Sequence, residues 1–268
     1  VVGKKKRRGR GKDLLGSHQK CWLWGRHAVM ETLRAGRWIP VEIVWDAETL
    51  TADLQSELES LADEFDVPLI ASTGSELQRI CGAGDHQGLV AKMPTFPYAD
   101  HQQVISSLRR DSDVLILCGL QDPFNFGSIL RSADLFGVDA VFVPTTGQAA
   151  VSSHVARSSV GAVNYLDIVQ SDDLTESCRQ LRTRGLRLLG ATEHGNALPA
   201  AVDLTAGIAL LVGNEGTGIP TELLELCDDQ LCIPMTGHVG SLNAAVAAGI
   251  LCYEVQRQRM TAGAKKSL

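Results

Sequence analysis

The stretch LVGNEGTGIP, residues 211–220, ends an apolar run in a carboxylate flanked by glycines. The run leading into it, GIALLVG, is short, aliphatic and β-branched, which reads as a strand buried on both faces. Beyond it, Pro220 stands at the first position of an expected helix, PTELLELC. A strand that stops at Gly213 sets Asn214 and Glu215 on a loop at the carboxyl edge of a sheet, where open α/β folds hold ligands.

Outward from this strand the chain keeps alternating. Strands are expected at DVLILCGL, DAVFVP, LRLLGAT and QLCIP, and helices at NFGSILRSADLFG, HVARSSVGA, LTESCRQLRTRG and the long SLNAAVAAGILCYEVQRQRM. That order predicts an α/β domain over residues 113–268 with a mostly parallel sheet covered on both faces. Upstream, a helix through Ala28, Val29, Thr32 and Leu33, a strand PVEIVW, the periodic helix LTADLQSELESLADEFD, a strand VPLIA, a helix GSELQRIC and a strand QGLVAKM predict a small α/β unit over 20–94. PTFPYAD, with two prolines and no periodicity, opens a linker expected over 95–112.

Composition narrows the class. The chain has 268 residues and is 44% hydrophobic, enough for two cored domains. No apolar run approaches the roughly 18 to 20 residues of a membrane span, and the start lacks the order of a secretory signal, so a cytoplasmic protein with no membrane partner is expected. Seven cysteines, an odd and scattered set without a C-x-x-C pair, read as free thiols, and the scattered histidines give no metal site. The net charge of −6 hides an asymmetry: residues 4–12, KKKRRGRGK, hold seven of the 25 basic residues and no acid, which leaves 18 basic against 31 acidic in the remainder. Residues 1–19 therefore read as a disordered basic arm on an acidic globule, suited either to a polyanion such as RNA, through Lys4, Lys5, Lys6, Arg7 and Arg8, or to solubility alone.

Three expected strand ends carry unusual polar residues: GLQDPFNFGSILR, GNEGTG and IPMTGHVGSLN. In a parallel sheet they share one edge and can converge. Asn125 and Arg131 lie in the first, six residues apart, which is no clean helical spacing; spacing alone favours Arg131 as a surface arginine paired with Asp134. Glu215 suits the start of the following helix as well as a site. Ser241 is a credible N-cap for the terminal helix. Asn243, in the apolar and small context LNAAVAAG, is expected to be a buried amide in need of partners. No phosphate-loop or dinucleotide motif is present.

Taken in order, QDPFNFGSILRSADLFGVDAVFVP, LLVGNEGTGIP and IPMTGHVGSLNAAVAAGILCYEVQRQR resemble the three motifs of the SpoU (TrmH) branch of the SPOUT methyltransferases. The segments GRHAV and HQGLVA resemble the small RNA-binding domain that precedes the catalytic domain in ribosomal RNA ribose methyltransferases. The resemblance implies a carboxyl-terminal α/β trefoil-knot domain, a homodimer whose sites are completed by the neighbouring chain, and methyl transfer from S-adenosyl-L-methionine to a ribose 2′-oxygen, most often of a guanosine. By motif position it implies a catalytic set of Asn125, Arg131, Glu215, Ser241 and Asn243, and cofactor contacts from Thr192, Gly213, Asn214, Gly216, Ile233, Met235 and Leu242. Gly213 would let the backbone approach the cofactor where a side chain would block it. Relatives often carry basic residues where this chain has TTGQAA, so RNA contact is expected from the arm and from Arg157 in HVARSSVGA. Large-subunit ribosomal RNA is the expected substrate. The alternatives are transfer RNA, a non-catalytic assembly factor and, least supported, a small-molecule enzyme.

Overall fold

The computed structural model describes residues 21–238 and 240–263, so the arm residues Lys4, Lys5, Lys6, Arg7 and Arg8 lie outside the described residues. The chain divides into one unit ending at Pro97 and a second beginning at Tyr98. In the first, β1 (Trp22–Trp24), α1 (Arg26–Ala35), β2 (Glu42–Trp45), α2 (Ala52–Glu64), β3 (Leu69–Ala71), α3 (Gly74–Cys81) and β4 (Leu89–Lys92) follow in order. Their sheet runs β1-β4-β2-β3, with β4 antiparallel to both neighbours and β3 parallel to β2. Leu58 and Ala62, one turn apart, are the buried residues of α2. In α1 the buried Thr32 returns its hydroxyl to the Ala28 carbonyl at 2.8 Å, which satisfies a polar group inside the core.

The second unit contains α4 (His101–Ser107), β5 (Asp113–Cys118), α5 (Pro123–Leu135), β6 (Ala140–Pro144), α6 (Ser153–Ser158), β7 (Asp167–Ser171), α7 (Leu174–Thr183), β8 (Arg187–Ala191), β9 (Ile208–Gly213), α8 (Thr221–Leu224), β10 (Asp229–Leu231) and α9 (Ala244–Thr261). Its six strands are all parallel in the order β10-β8-β9-β5-β6-β7. All six residues of β5 are buried, as a central strand covered on both faces requires. Val104 and Ile105 of α4, Cys178 and Leu181 of α7 and Leu223 of α8 join one core cluster with Ile116, Phe142 and Leu211 of the sheet. Each such side chain, fully buried, contributes about 1.5–3 kcal/mol.

The structure departs from the sequence-based expectations at β1, which forms where WLWGRHAVMETLRAG reads as helix, and in the second unit at three places. The stretch 95–112 is no simple linker: α4 forms within it, capped by Asp100, whose side chain accepts the Gln103 amide at 2.8 Å. Its Val104, Ile105 and Leu108 make an apolar helical face, and burying that face fixes the segment to the second unit. A strand that the sequence reading passed over, β7, pairs with β6 through Ile168 and Val169; it is a five-residue edge strand, too short for a strong periodic signal. PTELLELC yields only the four-residue α8.

Two close approaches brace the site. A Cβ on Gly127 would fall 1.8 Å from the Ser158 hydroxyl and 2.8 Å from the Val155 carbonyl, so α5 and α6 touch only because position 127 has no side chain. At the far end, Arg259 of α9 forms a bidentate pair with Asp113 of β5, both 8% exposed, and also donates to the Ala206 carbonyl at 2.7 Å. Breaking such a buried pair costs about 3–5 kcal/mol, because one charge is left uncompensated. Among the described residues no helix is long and apolar enough to cross a membrane.

Candidate active site

Because the sheet is parallel, the loops after β5, β8, β9 and β10 leave one edge, and a cleft of about 560 Å³ opens among the last three of them. Ile219, Leu231, Ile233 and Leu251 give it an apolar lining, and Thr192, Glu193 and Asn214 add polar groups. The volume and the mixed lining fit a small-molecule ligand. Thr192, Gly213, Asn214, Gly216, Ile233, Met235 and Leu242, all expected at a cofactor, line this cleft. So do Glu215, Ser241 and Asn243.

The loop after β9 is built by its own residues. Asn214 and Gly218 exchange backbone hydrogen bonds, the Asn214 side-chain oxygen accepts the Gly216 amide at 2.7 Å, and its Nδ2 donates to the Gly119 carbonyl at 2.6 Å. The Asn214 side chain is thus committed to holding the β9 and β5 loops together. Gly213 is explained the same way: a Cβ there would fall 2.4 Å from the Gly218 carbonyl carbon and 2.6 Å from the Ile219 nitrogen. Closure of the loop on itself, rather than approach to a ligand, already requires the glycine.

Asn125 joins two of these loops. It lies in the first turn of α5, a helix fixed by the Asp122 side chain accepting the Phe124 amide at 2.9 Å and by Pro123 at its start. The Asn125 Nδ2 donates to Glu215 Oε1 at 2.6 Å, and its Oδ1 accepts Nδ2 of Asn243 at 3.0 Å. The Asn243 Oδ1 accepts the Ala245 and Val246 amides at 2.9 and 3.3 Å, so Asn243 caps α9. Ser241, expected as that cap, is two residues too early and lies exposed on the cleft wall. Asn243 is likewise exposed rather than buried, since the small residues after it pack inward while the cap faces the cleft.

Arg131 stands apart from this trio. Six residues place it about 120° around the helix from Asn125, on an exposed stripe with Phe124, Ser128 and Leu135. It does not line the cleft. Nor does it pair with Asp134, whose carboxyl is pushed above its ordinary range by burial. Arg157 is half-buried on α6, outside the cleft. Glu193, His194 and the α9 residues Ala244 and Ala247 also line the cleft and were missed; the small residues in LNAAVAAG were the available signal for the last two. Among the described residues no group of three or more His, Cys, Asp or Glu side chains could hold a metal ion. None of the seven cysteines is in a disulfide.

Residues 113–253 match the profile of the SpoU rRNA methylase family, and residues 22–99 match that for RNA 2′-O ribose methyltransferase substrate binding. A TrmH family tRNA/rRNA methyltransferase of Staphylococcus haemolyticus is 36% identical over 245 residues, covering 89% of this chain and 96% of its own. The crystal structure of the SpoU methyltransferase AviRb from Streptomyces viridochromogenes, in complex with AdoMet, superimposes with a TM-score of 0.77 at 26% identity, covering 91% of each chain. The TrmH/SpoU tRNA modifying enzyme of A. aeolicus gives 0.53 at 27% identity, over 63% of this chain and 87% of its own. The chain belongs to the SpoU family of RNA 2′-O-ribose methyltransferases.

Proposed function

We propose that this protein methylates the ribose 2′-hydroxyl of a guanosine in large-subunit ribosomal RNA, acting in the cytoplasm as a trefoil-knotted homodimer with S-adenosylmethionine in the cleft. The observation that carries this reading is the hydrogen-bonded chain Glu215–Asn125–Asn243, whose two ends line the cleft while Asn125 bridges them from α5. S-adenosylmethionine, the family's cofactor, supplies an electrophilic methyl group. A ribose hydroxyl is a poor nucleophile, so the protein's task is to align it and manage one proton.

Glu215 accepts one Asn125 N–H and so turns that amide; Asn125 in turn orients Asn243. An asparagine amide has two N–H donors, so Asn125 and Asn243 each keep a second one for the 2′-oxygen as negative charge builds on it. Arg131 adds a positive charge that acts electrostatically on the developing alkoxide. It reaches a site through a second copy. The stripe of α5 that bears it includes Phe124, 60% exposed, and Leu135, 68% exposed; α5 packs on α9, whose Val246, Ile250 and Tyr253 are 49%, 40% and 54% exposed. An apolar face of this extent on two neighbouring helices suits a partner protein surface.

The SpoU rRNA methylase profile over residues 113–253, with the substrate-binding profile in the first unit, favours a ribosomal substrate, whereas the tRNA modifying enzyme of A. aeolicus aligns over a smaller share of this chain. Transfer RNA is the second reading, since the name of the Staphylococcus haemolyticus relative covers both tRNA and rRNA. The test is transfer of labelled methyl to unmodified ribosomal and transfer RNA, with identification of the labelled nucleoside by mass spectrometry. 2′-O-methylguanosine from ribosomal RNA is the expected product; label confined to transfer RNA selects the second reading.

A further inference from the structure

The turn that carries Asn125 is held from two sides. The Asn214 amide takes the Gly119 carbonyl at 2.6 Å, and the next residue, Leu120, is gripped by the loop after β6: its amide donates to Gln148 Oε1 at 2.8 Å and its carbonyl accepts the Ala149 amide at 2.7 Å. Gly119 has φ +81°, and a Cβ there would lie 3.3 Å from the Gly147 carbonyl, so the two loops run in contact. Leu120 itself is fully buried. Two residues later Asp122 caps α5, and Asn125 follows within the first turn.

Gln148 is a costly way to fill this space. Its Nε2 is enclosed without an acceptor among the described residues, an arrangement that an apolar side chain of the same length would avoid. What the amide supplies in return is a side-chain acceptor for the Leu120 N–H. Thr145, Thr146 and Gly147, just before it, are exposed. The loop therefore has an outward tip and an inward anchor, and the anchor ends on the turn that positions Asn125.

The geometry points to Gln148 as a positioning residue for methyl transfer: it holds Leu120, and through the β5–α5 turn it sets Asn125 against Glu215 and Asn243. This rests on the reading of that trio as the catalytic group. Gln148 touches neither substrate nor cofactor in this role, so its removal acts on turnover and leaves the cleft as it is.

The test compares Q148M, which keeps the length and removes the acceptor, with Q148E, which keeps an acceptor oxygen. Turnover, KM for RNA, cofactor affinity by calorimetry, melting temperature and hydrogen exchange of the Leu120 amide are measured on the full chain. In Q148M the Leu120 amide loses protection and kcat falls about tenfold, the scale of one buried donor left without its acceptor, while cofactor affinity stays within about twofold. Q148E recovers most of both. Equal kcat in Q148M and wild type overturns the inference, as does a loss that Q148E fails to recover or that tracks cofactor affinity and melting temperature. Unchanged protection of the Leu120 amide in Q148M overturns it even in a preparation that methylates none of the RNAs offered; absence of turnover in the wild type instead tells against the methyltransferase reading itself.

Discussion

The Asn125 amide nitrogen donates to a Glu215 carboxylate oxygen across 2.6 Å, although 90 residues separate the two in the chain. The Asn125→Asp variant replaces that donor by a carboxylate, so that like charges face each other where a hydrogen bond stood. Turnover should fall by about a hundredfold or more, as when one donor to a developing oxyanion is lost, with cofactor affinity changed only a few-fold. Steady-state kinetics beside calorimetry separates the two, and wild-type turnover in the variant would remove Asn125 from the mechanism.

Asn243 has two duties that substitution can divide. Its Oδ1 caps α9 and its Nδ2 reaches Asn125. Asn243→Asp keeps the capping oxygen, and melting temperature should stay near wild type while turnover drops. Asn243→Ala loses both, adding a stability loss of about 1 kcal/mol. Ser241→Ala, away from the cap, should leave thermal unfolding unchanged.

If Arg131 serves a neighbouring chain, the variants Arg131→Ala and Asn125→Ala, each inactive alone, should complement when co-expressed. A statistical mixture of symmetric dimers then regains about a quarter of wild-type activity, since each mixed dimer carries one intact site. No recovery in dimers shown to be mixed would place Arg131 in its own chain's site.

The acid limb of stability has a local contribution on α9. Glu254 accepts both the Arg257 guanidinium and the Gln258 amide, and the hydrogen bond from Arg257 lowers its carboxyl to about 2. A folded-state value below the unfolded one stabilises the fold above the ordinary carboxylate range, near 4.5, and that contribution is lost as pH falls toward 2. Glu254→Gln should flatten unfolding free energy against pH over that window and leave the neutral-to-basic slope alone.

Burial raises the thiols of Cys178 and Cys252 to about 12 and that of Cys227 to about 11, and pushes Cys118 up further. These four should resist a thiol reagent at pH 8 until denaturant is added. Rapid native labelling of Cys118 or Cys252, read by peptide mass spectrometry, would contradict their packing in the sheet and in α9.

The alternating elements of the second unit were legible because buried parallel strands read as unbroken apolar runs, as in DVLILC and IALLVG. The convergence of Asn125, Glu215 and Asn243 was legible only as shared position at one sheet edge; the hydrogen bonds depend on rotamers that no spacing encodes. What misled was local. Pro94 and Pro97 hid the helix that begins at His101, and Ser241 matched a capping preference that the backbone satisfies two residues later, at Asn243. Gly213 invited a ligand-based explanation, while the contact that forbids a side chain comes from Gly218 and Ile219 of the same loop.

The most direct measurement is the chemical stability of the methylated linkage. RNA labelled by the protein from S-adenosylmethionine is hydrolysed in alkali, which needs a free 2′-hydroxyl to cleave, and the products are separated by length. Label recovered in alkali-stable dinucleotides is the expected result and fixes the acceptor as the ribose oxygen. Label recovered in mononucleotides, as base methylation gives, would contradict the account of Asn125, Glu215 and Asn243 as a site built for a 2′-hydroxyl.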